Sequence, residues 1–354
     1  MKVLLATPQD RTVLGTVGDY CRKALESLGH EVCVFDFRRR SRHGSRLTAY
    51  IKSLLRQLIP STISPYNIPI VILASDKRIN EELLDRARAI KPDLFLVLLG
   101  ENITPESVEA IKRMGAVTAN WLFDSIVLPH RLDFMQKVAR SYDHIFLIDS
   151  PDVLDKVDLK ANHIDSIPLG CDPDIHNRIS LSPEDIKKYG CDIAFVGTVT
   201  PEREKVLEGL SDLDIKIWGR WQSRSARLDG HYQDKDVYGS EAVKIYNAAK
   251  VVVDIHGQFG LRDNIFNVTP RLFEVPASGA LLITNNIPQA RTLYKAGEEI
   301  VVYDDAASLR ERIEYYLSHE EERKAIAERG YKRAHLDHTY AQRLTKLLKI
   351  AGRG

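Results

Sequence analysis

The sequence predicts an α/β protein made of two doubly wound, parallel-sheet domains. Short runs rich in Val, Ile and Leu alternate with helical periods almost from end to end, which is typical of parallel sheets covered by helices on both faces. The chain has 354 residues, which is longer than a domain with a single hydrophobic core usually is, and 44% of them are apolar. We therefore expect two domains, each with a ligand-binding edge at the carboxyl ends of its strands.

The first half begins with a strand, and its elements follow in regular order. Period and turn signals predict strands at 2–6, 31–35, 70–74, 93–99, 117–123 and 144–148, and helices at 14–28, 80–90 and 105–114. Segment 167–178, "IPLGCDPDIHNR", then interrupts both periods and is the predicted linker.

The alternation restarts after the linker. Strands are predicted at 192–196, 215–218, 251–255, 280–284 and 300–303, and helices after Pro201 and at 241–249, 307–317 and 320–335. A last helix carries Tyr340, Leu344, Leu347 and Leu348 on one face. We expect domains at 1–168 and 169–335, a carboxyl-terminal helix at 336–354 that packs back towards the first domain, and a cleft between the domains.

Charge and cysteine usage exclude several classes of protein. Fifty Lys and Arg against 49 Asp and Glu leave a formal charge of +1, so no global field favours nucleic acid. Four scattered cysteines without C-x-x-C spacing, and no signal peptide or long apolar run, predict a soluble cytoplasmic protein without structural zinc. The D-x-D spacings at 172–174 and 212–214 lack a second cluster, so no metal site is expected.

One strong basic run, "RRRSRHGSR" at 38–46, precedes an amphipathic segment that ends at Leu58. The first interpretation is a solvated loop followed by a helix packed on the first domain. The second is that Arg38 to Leu58 contacts an anionic or lipid-linked acceptor, with the protein peripheral to the inner face of the membrane.

The stretch "PRLFEVPASGALLITNN" at 270–286 places two charges in a short apolar helix. We predict Thr269 as the helix cap, Pro270 as the first helical residue and Gly279 as the stop. Arg271 and Glu274 share a polar stripe. They form either a surface ion pair, or a site in which Glu274 accepts hydrogen bonds from ribose hydroxyls and Arg271 faces phosphate.

The segments "CDIAFVGTVTPERE", "WGRW", "YNAAKVVVDIHG" and "PRLFEVPASGALLITNN", in this order, resemble the second domain of GT-B glycosyltransferases, and the CgeB-like branch of the group 1 superfamily above all. The linker resembles their Pro-x-Gly-x-Asp segment. The resemblance implies a GT-B fold: two Rossmann-like domains face each other across a cleft that carboxyl-terminal helices close. It also implies metal-independent transfer, without a cofactor, from a nucleotide diphosphate sugar to a carbohydrate or lipid-linked acceptor in envelope, polysaccharide or coat glycan synthesis.

The family pattern assigns roles on the donor side. Glu274 would bind ribose, and Gly197, Thr198, Arg203 and Arg271 would lie near the diphosphate. Trp218 and Gly219 lie where related enzymes bind the base of the nucleotide. Trp218 could equally be an aromatic residue of the hydrophobic core. His256 follows a strand at the edge of the cleft. Retaining members carry a second glutamate where this chain has Phe266, so retention or inversion stays open, and nearby Asn267 would contact the sugar.

The first half offers a catalytic base. Asp124 follows a strand, where an open sheet usually places a catalytic group, and His130 lies shortly after it, so either would take the proton from an acceptor hydroxyl. A turn aspartate and a loop histidine are the plainer alternatives. Gly15 and Gly18 form a weak glycine turn near the acceptor or phosphates. Two other functions stay open: a non-catalytic nucleotide-binding protein in polymer assembly, and a nucleotide-sugar epimerase.

Overall fold

Two parallel sheets organise the part of the chain that the structure describes. The structure is a computed structural model, and it describes residues 1–9, 13–38, 69–222, 224–233, 235–256 and 268–354. The chain divides into two units. The first comprises Met1–Leu147, Val157–Asp165 and Leu348–Gly354, and the second comprises Ile148–Lys156 and Ser166–Leu347.

The first unit is built on a sheet with the strand order β2-β1-β3-β4-β5-β6. Its elements are β1 (Lys2–Ala6), α1 (Val13–Ser27), β2 (Glu31–Phe35), α2 (Pro69–Ile90), β3 (Leu94–Leu98), α3 (Pro105–Arg113), β4 (Val117–Leu122), α4 (Pro129–Val138) and β5 (His144–Leu147). After α5 (Pro151–Leu154), which belongs to the second unit, β6 (Ile164–Ser166) ends the sheet. The registered pairs β1 with β2, β1 with β3, β3 with β4 and β4 with β5 are all parallel. Every residue of β3 is buried, as expected for a strand covered on both faces.

The second unit repeats this plan with the strand order β11-β10-β9-β7-β8. Its elements are α6 (Pro183–Tyr189), β7 (Cys191–Val196), α7 (Pro201–Glu208), β8 (Ile215–Trp218), α8 (Ser240–Ala248), β9 (Ala249–Asp254), α9 (Arg271–Ala277), β10 (Leu281–Asn285), α10 (Pro288–Leu293), β11 (Val301–Tyr303), α11 (Ala306–Ser318) and α12 (Glu320–Asp337). The last helix, α13 (Tyr340–Ile350), begins in this unit, and its residues from Leu348 onwards belong to the first unit. The strand order reverses between β7 and β9, which are adjacent in the sheet, and such a switch point is where open sheets bind ligands.

The segment before the second sheet is tied to the end of the same unit. The backbone N–H of Cys171 donates to the carbonyl of His338 at 2.8 Å, and that of Tyr340 donates to the carbonyl of Cys171 at 2.9 Å. A Cβ on Gly170 would lie only 2.8 Å from the His338 carbonyl oxygen. Glycine at this position therefore permits the close approach of the two backbones.

The fold agrees with the predicted α/β class and with most of the predicted elements, and it corrects two of them. Residues 70–74 are not a strand: they lie inside α2, because a short apolar run does not by itself distinguish a strand from a helix. Thr269 does not cap α9, whose N-cap is Pro270 without a side-chain hydrogen bond. Among the described residues, no helix is long and apolar enough to cross a membrane.

Candidate functional site

Two glycines end adjacent strands of the second sheet and touch each other. Gly197 follows β7 and Gly219 follows β8, with φ angles of +155° and +126°. A Cβ on Gly219 would lie 2.2 Å from the carbonyl oxygen of Gly197, and a Cβ on Gly197 would lie 2.8 Å from Nη1 of Arg271. Side chains do not fit at either position, so the Gly197 backbone lies directly against a guanidinium.

A charged cluster, formed by Asp254, His256, Thr269 and Arg271, lies at the carboxyl end of β9. Nε of Arg271 donates to Oδ1 of Asp254 at 2.8 Å, and the Thr269 hydroxyl donates to Oδ2 at 2.6 Å. Nε2 of His256 lies 3.1 Å from the same Oδ2. The Asp254 side chain is 0% exposed and that of Arg271 is 13% exposed. Arg271 thus pairs with a buried carboxylate, and of the two interpretations of Arg271 and Glu274, the surface ion pair does not form.

The cluster sets the charge of its own members. Burial alone would raise the pKa of Asp254, but Arg271, His256 and Thr269 hold it well below its usual range. Burial would lower the pKa of Arg271, but Asp254 raises it above the ordinary value. Both groups therefore stay ionised, and the guanidinium stays positive beside Gly197.

A second guanidinium approaches the same edge from the first turn of α7. Arg203 is buried, and it donates through Nε to the carbonyl of Ile255 and through Nη1 to that of Thr198, both at 2.7 Å. Burial, and then the nearby Arg271, lower its pKa to about 10. The Thr198 side chain itself is exposed. Arg203 therefore ties the turn after β7 to the end of β9 and adds positive charge there.

Glu274 presents a loosely held carboxylate. Its side chain is 16% exposed, and burial raises its pKa to about 7 despite the opposing effect of Arg271. The Tyr246 hydroxyl donates to Oε2 at 3.4 Å, and Nε2 of His176 lies 3.7 Å from Oε1. Both distances exceed those of strong hydrogen bonds, so the carboxylate can still accept further donors.

Trp218 and His256 lie at the predicted strand ends but face protein groups. Trp218 is buried, with its ring centroid 6.5 Å from that of Tyr189, which supports the core-aromatic interpretation. His256 is buried too: its backbone N–H donates to Oδ1 of Asn285 at 2.7 Å, and its Nε2 lies 3.0 Å from the Thr284 hydroxyl. In this structure His256 helps to hold Asp254.

The first unit carries a separate ionic network at the carboxyl ends of its strands. Arg131 donates to Oδ2 of Asp124 through Nε at 2.8 Å, and to Oε1 of Glu101 through Nη1 at 2.8 Å. Arg38 reaches the same Oε1 at 3.1 Å. Burial opposes the charge of Arg131, but Asp124 and then Glu101 raise its pKa. The network therefore fixes the orientation of the Asp124 carboxylate.

The remaining predicted residues of the first half lie on helices. His130 is exposed on the first turn of α4. Gly15 and Gly18 lie within α1 and not in a loop. A Cβ on Gly18 would lie 2.3 Å from the Thr7 hydroxyl, so this glycine lets α1 pack closely on the end of β1.

Some predicted residues fall outside the described part of the chain. These are Asn267, Phe266 and nearly all of the segment from Arg38 to Leu58, of which only Arg38 is described. Within the described ranges, no group of three or more His, Cys, Asp and Glu side chains has an arrangement that could hold a metal ion.

Sequence reasoning missed Asp254, Tyr246 and His176. One signal was available for Asp254: it is the charged residue in the run "VVVDI", and a carboxylate in a buried strand requires partners. Tyr246 and His176 lie on α8 and in the linker segment, and the sequence gives no sign that they meet at Glu274.

Comparison with known proteins finds sequences and structures that are similar to this chain. A family model described as glycosyl transferase-like matches residues 203–349. The spore protein CgeB of Bacillus subtilis (strain 168) is 21% identical over 293 residues, which cover 78% of this chain and 88% of that protein.

Solved structures match over nearly the whole chain. Sucrose-phosphate synthase from Thermosynechococcus elongatus has a TM-score of 0.64 at 14% identity, covering 99% of this chain and 98% of that one. Anabaena HepE in complex with UDP and glucose has a TM-score of 0.65 at 11% identity, covering 99% of both chains. A glycosyltransferase from Rickettsia africae has a TM-score of 0.60 at 16% identity, covering 99% and 97%. The predicted two-sheet architecture is confirmed.

Proposed function

We propose, from the premise that this chain belongs to the group 1 GT-B glycosyltransferases, that its second unit binds a nucleotide diphosphate sugar whose sugar passes to an acceptor hydroxyl. One observation supports this assignment most strongly. The loosely held carboxylate of Glu274 lies on the same short helix as Arg271, whose guanidinium occupies the space where a Gly197 side chain would begin. A hydroxyl-binding group and an anion-binding group therefore stand side by side, as ribose and diphosphate require.

The diphosphate would interact with the edge that Gly197, Arg271 and Arg203 form. Glycine allows a phosphate to approach the backbone closely, and two guanidiniums would stabilise the negative charge that develops on the leaving nucleotide diphosphate. Positive side chains can take this role without a metal ion. We therefore expect turnover to continue in the presence of EDTA.

The donor base and sugar are proposed from the neighbours. HepE was solved with UDP and glucose, and this supports UDP-glucose as the first donor to try. We expect the acceptor, a carbohydrate or lipid-linked hydroxyl, to lie near Asp124, which would take its proton. The glycosyl transferase-like family match favours transfer over a non-catalytic role or an epimerase.

Calorimetric titration with UDP, UDP-glucose and uridine tests the donor site. Wild-type protein should bind UDP more tightly than uridine, because only UDP engages the guanidiniums. Glu274→Ala should lower UDP affinity about tenfold or more, as loss of a hydrogen bond to a charged acceptor does. Glu241→Ala is the matched control. Glu241 is also a carboxylate on a helix of the second unit, but it pairs with Lys235 at 2.6 Å and not with a member of the charged cluster. Equal UDP affinities of the Glu274 variant and wild type would remove Glu274 from the site.

A further inference from the structure

Two carboxylates of the first unit share one guanidinium. Asp124 and Glu101 follow the neighbouring parallel strands β4 and β3, and both contact Arg131 on the first turn of α4. Nε and Nη2 of Arg131 both donate to Oδ2 of Asp124, at 2.8 and 2.5 Å, and Nη1 donates to Oε1 of Glu101 at 2.8 Å. The Arg131 side chain is only 12% exposed, so this planar fork of donors has little freedom to turn.

The contact with Arg131 leaves one oxygen of Asp124 free. Both donors meet Oδ2, and within the described part of the chain Oδ1 accepts no hydrogen bond. The Asp124 side chain is 38% exposed, which leaves room for a ligand at this carboxylate. A carboxylate accepts hydrogen bonds through both oxygens, so a hydroxyl that approaches Asp124 meets Oδ1, whose lone pairs Arg131 does not occupy.

Glu101 is presented by a strained turn at the end of β3. Leu99 has a φ of +68° and Gly100 a φ of +86°, and this left-handed conformation is unfavourable for leucine. A Cβ on Gly100 would lie 2.4 Å from Cγ1 of Val97, so a side chain does not fit there. The buried Asn120 of β4 stabilises the turn, because its amide donates to the Leu99 carbonyl at 2.8 Å. Such strain persists only where the surrounding structure maintains it, and it is frequent at functional sites.

The charge of Glu101 keeps the arrangement together. Burial would raise the pKa of Glu101, but Arg38 and then Arg131 hold it below its ordinary value. Glu101 is therefore ionised near neutral pH and keeps Nη1 of Arg131 bonded. The guanidinium is held by Glu101 on one side, and it holds Asp124 on the other.

We propose that Arg131 is a positioning residue for glycosyl transfer: held by Glu101, it fixes the Asp124 carboxylate so that Oδ1 takes the proton of the acceptor hydroxyl. The inference deepens the proposed function and rests on it for the role of Asp124 as the base. In this step the acceptor oxygen forms a bond to the anomeric carbon, and its proton passes to Oδ1. The bond from that carbon to the diphosphate breaks, and its electron pair leaves with the diphosphate.

Three variants test the connection from Arg131 to Asp124. Arg131→Lys keeps the charge but lacks the fork that holds both carboxylates, and Glu101→Gln removes the charge that holds Arg131. Arg22→Lys is the matched control, because Arg22 lies in the same unit and pairs with Glu26 at 2.7 Å along α1. If Arg131→Lys does not fold, Arg131→Ala replaces it and is assayed with added guanidinium, which should restore part of the turnover when the same concentration of sodium does not.

The first readout compares kcat with UDP affinity. We expect kcat to fall about tenfold to a hundredfold in Arg131→Lys and about tenfold in Glu101→Gln, because a misplaced base slows the chemical step. UDP affinity should change less than about twofold in both, because the substitutions affect the transition state and not donor binding. Arg22→Lys should leave kcat unchanged. A wild-type kcat in Arg131→Lys would overturn the proposal.

A double-variant cycle shows whether Arg131 acts through Asp124. In the Asp124→Asn background, Arg131→Lys should change kcat by less than about twofold, because the carboxylate that it positions is already lost. An equal loss of kcat in both backgrounds would refute the positioning role, since Arg131 would then act independently of Asp124. A normal kcat in Asp124→Asn itself would instead remove the base from the proposed function.

The last readout needs no turnover. The NMR signal of the Arg131 Nε–H, assigned by its absence in Arg131→Lys, should exchange with water about tenfold or more slowly than that of Arg88, which is 60% exposed where it meets Asp85. In Asp124→Ala this exchange should become as fast as that of Arg88, and in Asp85→Ala it should not change. Equally fast exchange of both signals in the wild type would contradict the inference. If Asp124 protects the Arg131 Nε–H but the wild type turns over no donor, only the proposed function is contradicted.

Discussion

Replacing Asp254 by Asn should strongly destabilise the second sheet. The substitution keeps the size of the side chain but removes the charge that faces Arg271, and both groups are buried. It also places an amide where Thr269 and His256 now bind carboxylate oxygens. Breaking a buried pair by neutralising one partner costs about 3–5 kcal/mol, because the other charge is left without compensation in a poorly solvated site.

Native-state hydrogen exchange measured by mass spectrometry resolves this effect by region. Peptides from β9 and β10 should exchange on the order of a hundredfold to several thousandfold faster in Asp254→Asn, which is what about 3–5 kcal/mol implies. Peptides from β3 and β4 serve as an internal reference in the other unit. Asp212→Asn is the control for an exposed pair, since Asp212 is 61% exposed where it meets Arg310. Its cost should be about 0–1 kcal/mol.

The result also distinguishes stability from function. The double variant Asp254→Leu/Arg271→Met should lose less protection than Asp254→Asn, because an apolar pair leaves no buried charge. It should nevertheless bind UDP poorly, because the guanidinium is gone. If Asp254→Asn costs no more than Asp212→Asn, the buried pair of Asp254 and Arg271 does not stabilise this edge of the sheet.

Three further predictions concern the proposed site. Because the pKa of Glu274 is raised to about 7, the native protein keeps a proton that the unfolded chain releases near pH 4.5; its unfolding free energy should fall by about 3 kcal/mol as pH rises between these values. Glu274→Gln should abolish that slope in denaturant titrations, and an unchanged slope would disprove the assignment. Gly197→Ala should weaken UDP binding and cost about 1–3 kcal/mol, because the new Cβ would lie 2.8 Å from Nη1 of Arg271 at a φ of +155°. Gly115→Ala is its control, because Gly115 also has positive φ but has no atom within 4 Å of a Cβ. Asp124→Asn should slow transfer about a hundredfold or more without changing UDP affinity. Normal turnover in this variant would show that another group is the catalytic base.

The strands and most helices follow from sequence because their signals are local. β1 and β2 begin and end where the alternation of apolar runs and Gly29 places them. The helix α2 was harder, since a short apolar run such as that at 70–74 has no period that separates strand from helix.

The candidate site was predicted only in outline. The family pattern proposes a role for Glu274, but it does not indicate the partner of Arg271, because Asp254 lies seventeen residues upstream on another element. The same limit applies to Thr269: its hydroxyl was expected to cap a helix, and in the structure it donates to the buried carboxylate of Asp254 on another element. Sequence patterns predict hydrogen bonds between residues that are close along the chain, but they do not predict bonds between residues that only the fold brings together.

The backbone bonds between Cys171 and the segment before α13 bear on how the molecule can be divided. Arg343 on α13 donates to the carbonyl of Leu169 at 3.0 Å, and Leu344 beside it is fully buried. A fragment that begins at 166 and stops at 335 would lack these groups and leave the Cys171 backbone unpaired. A separately expressed second unit should therefore extend to Leu347, and exchange of this unit between related enzymes has to include residues 336–347 together with the linker.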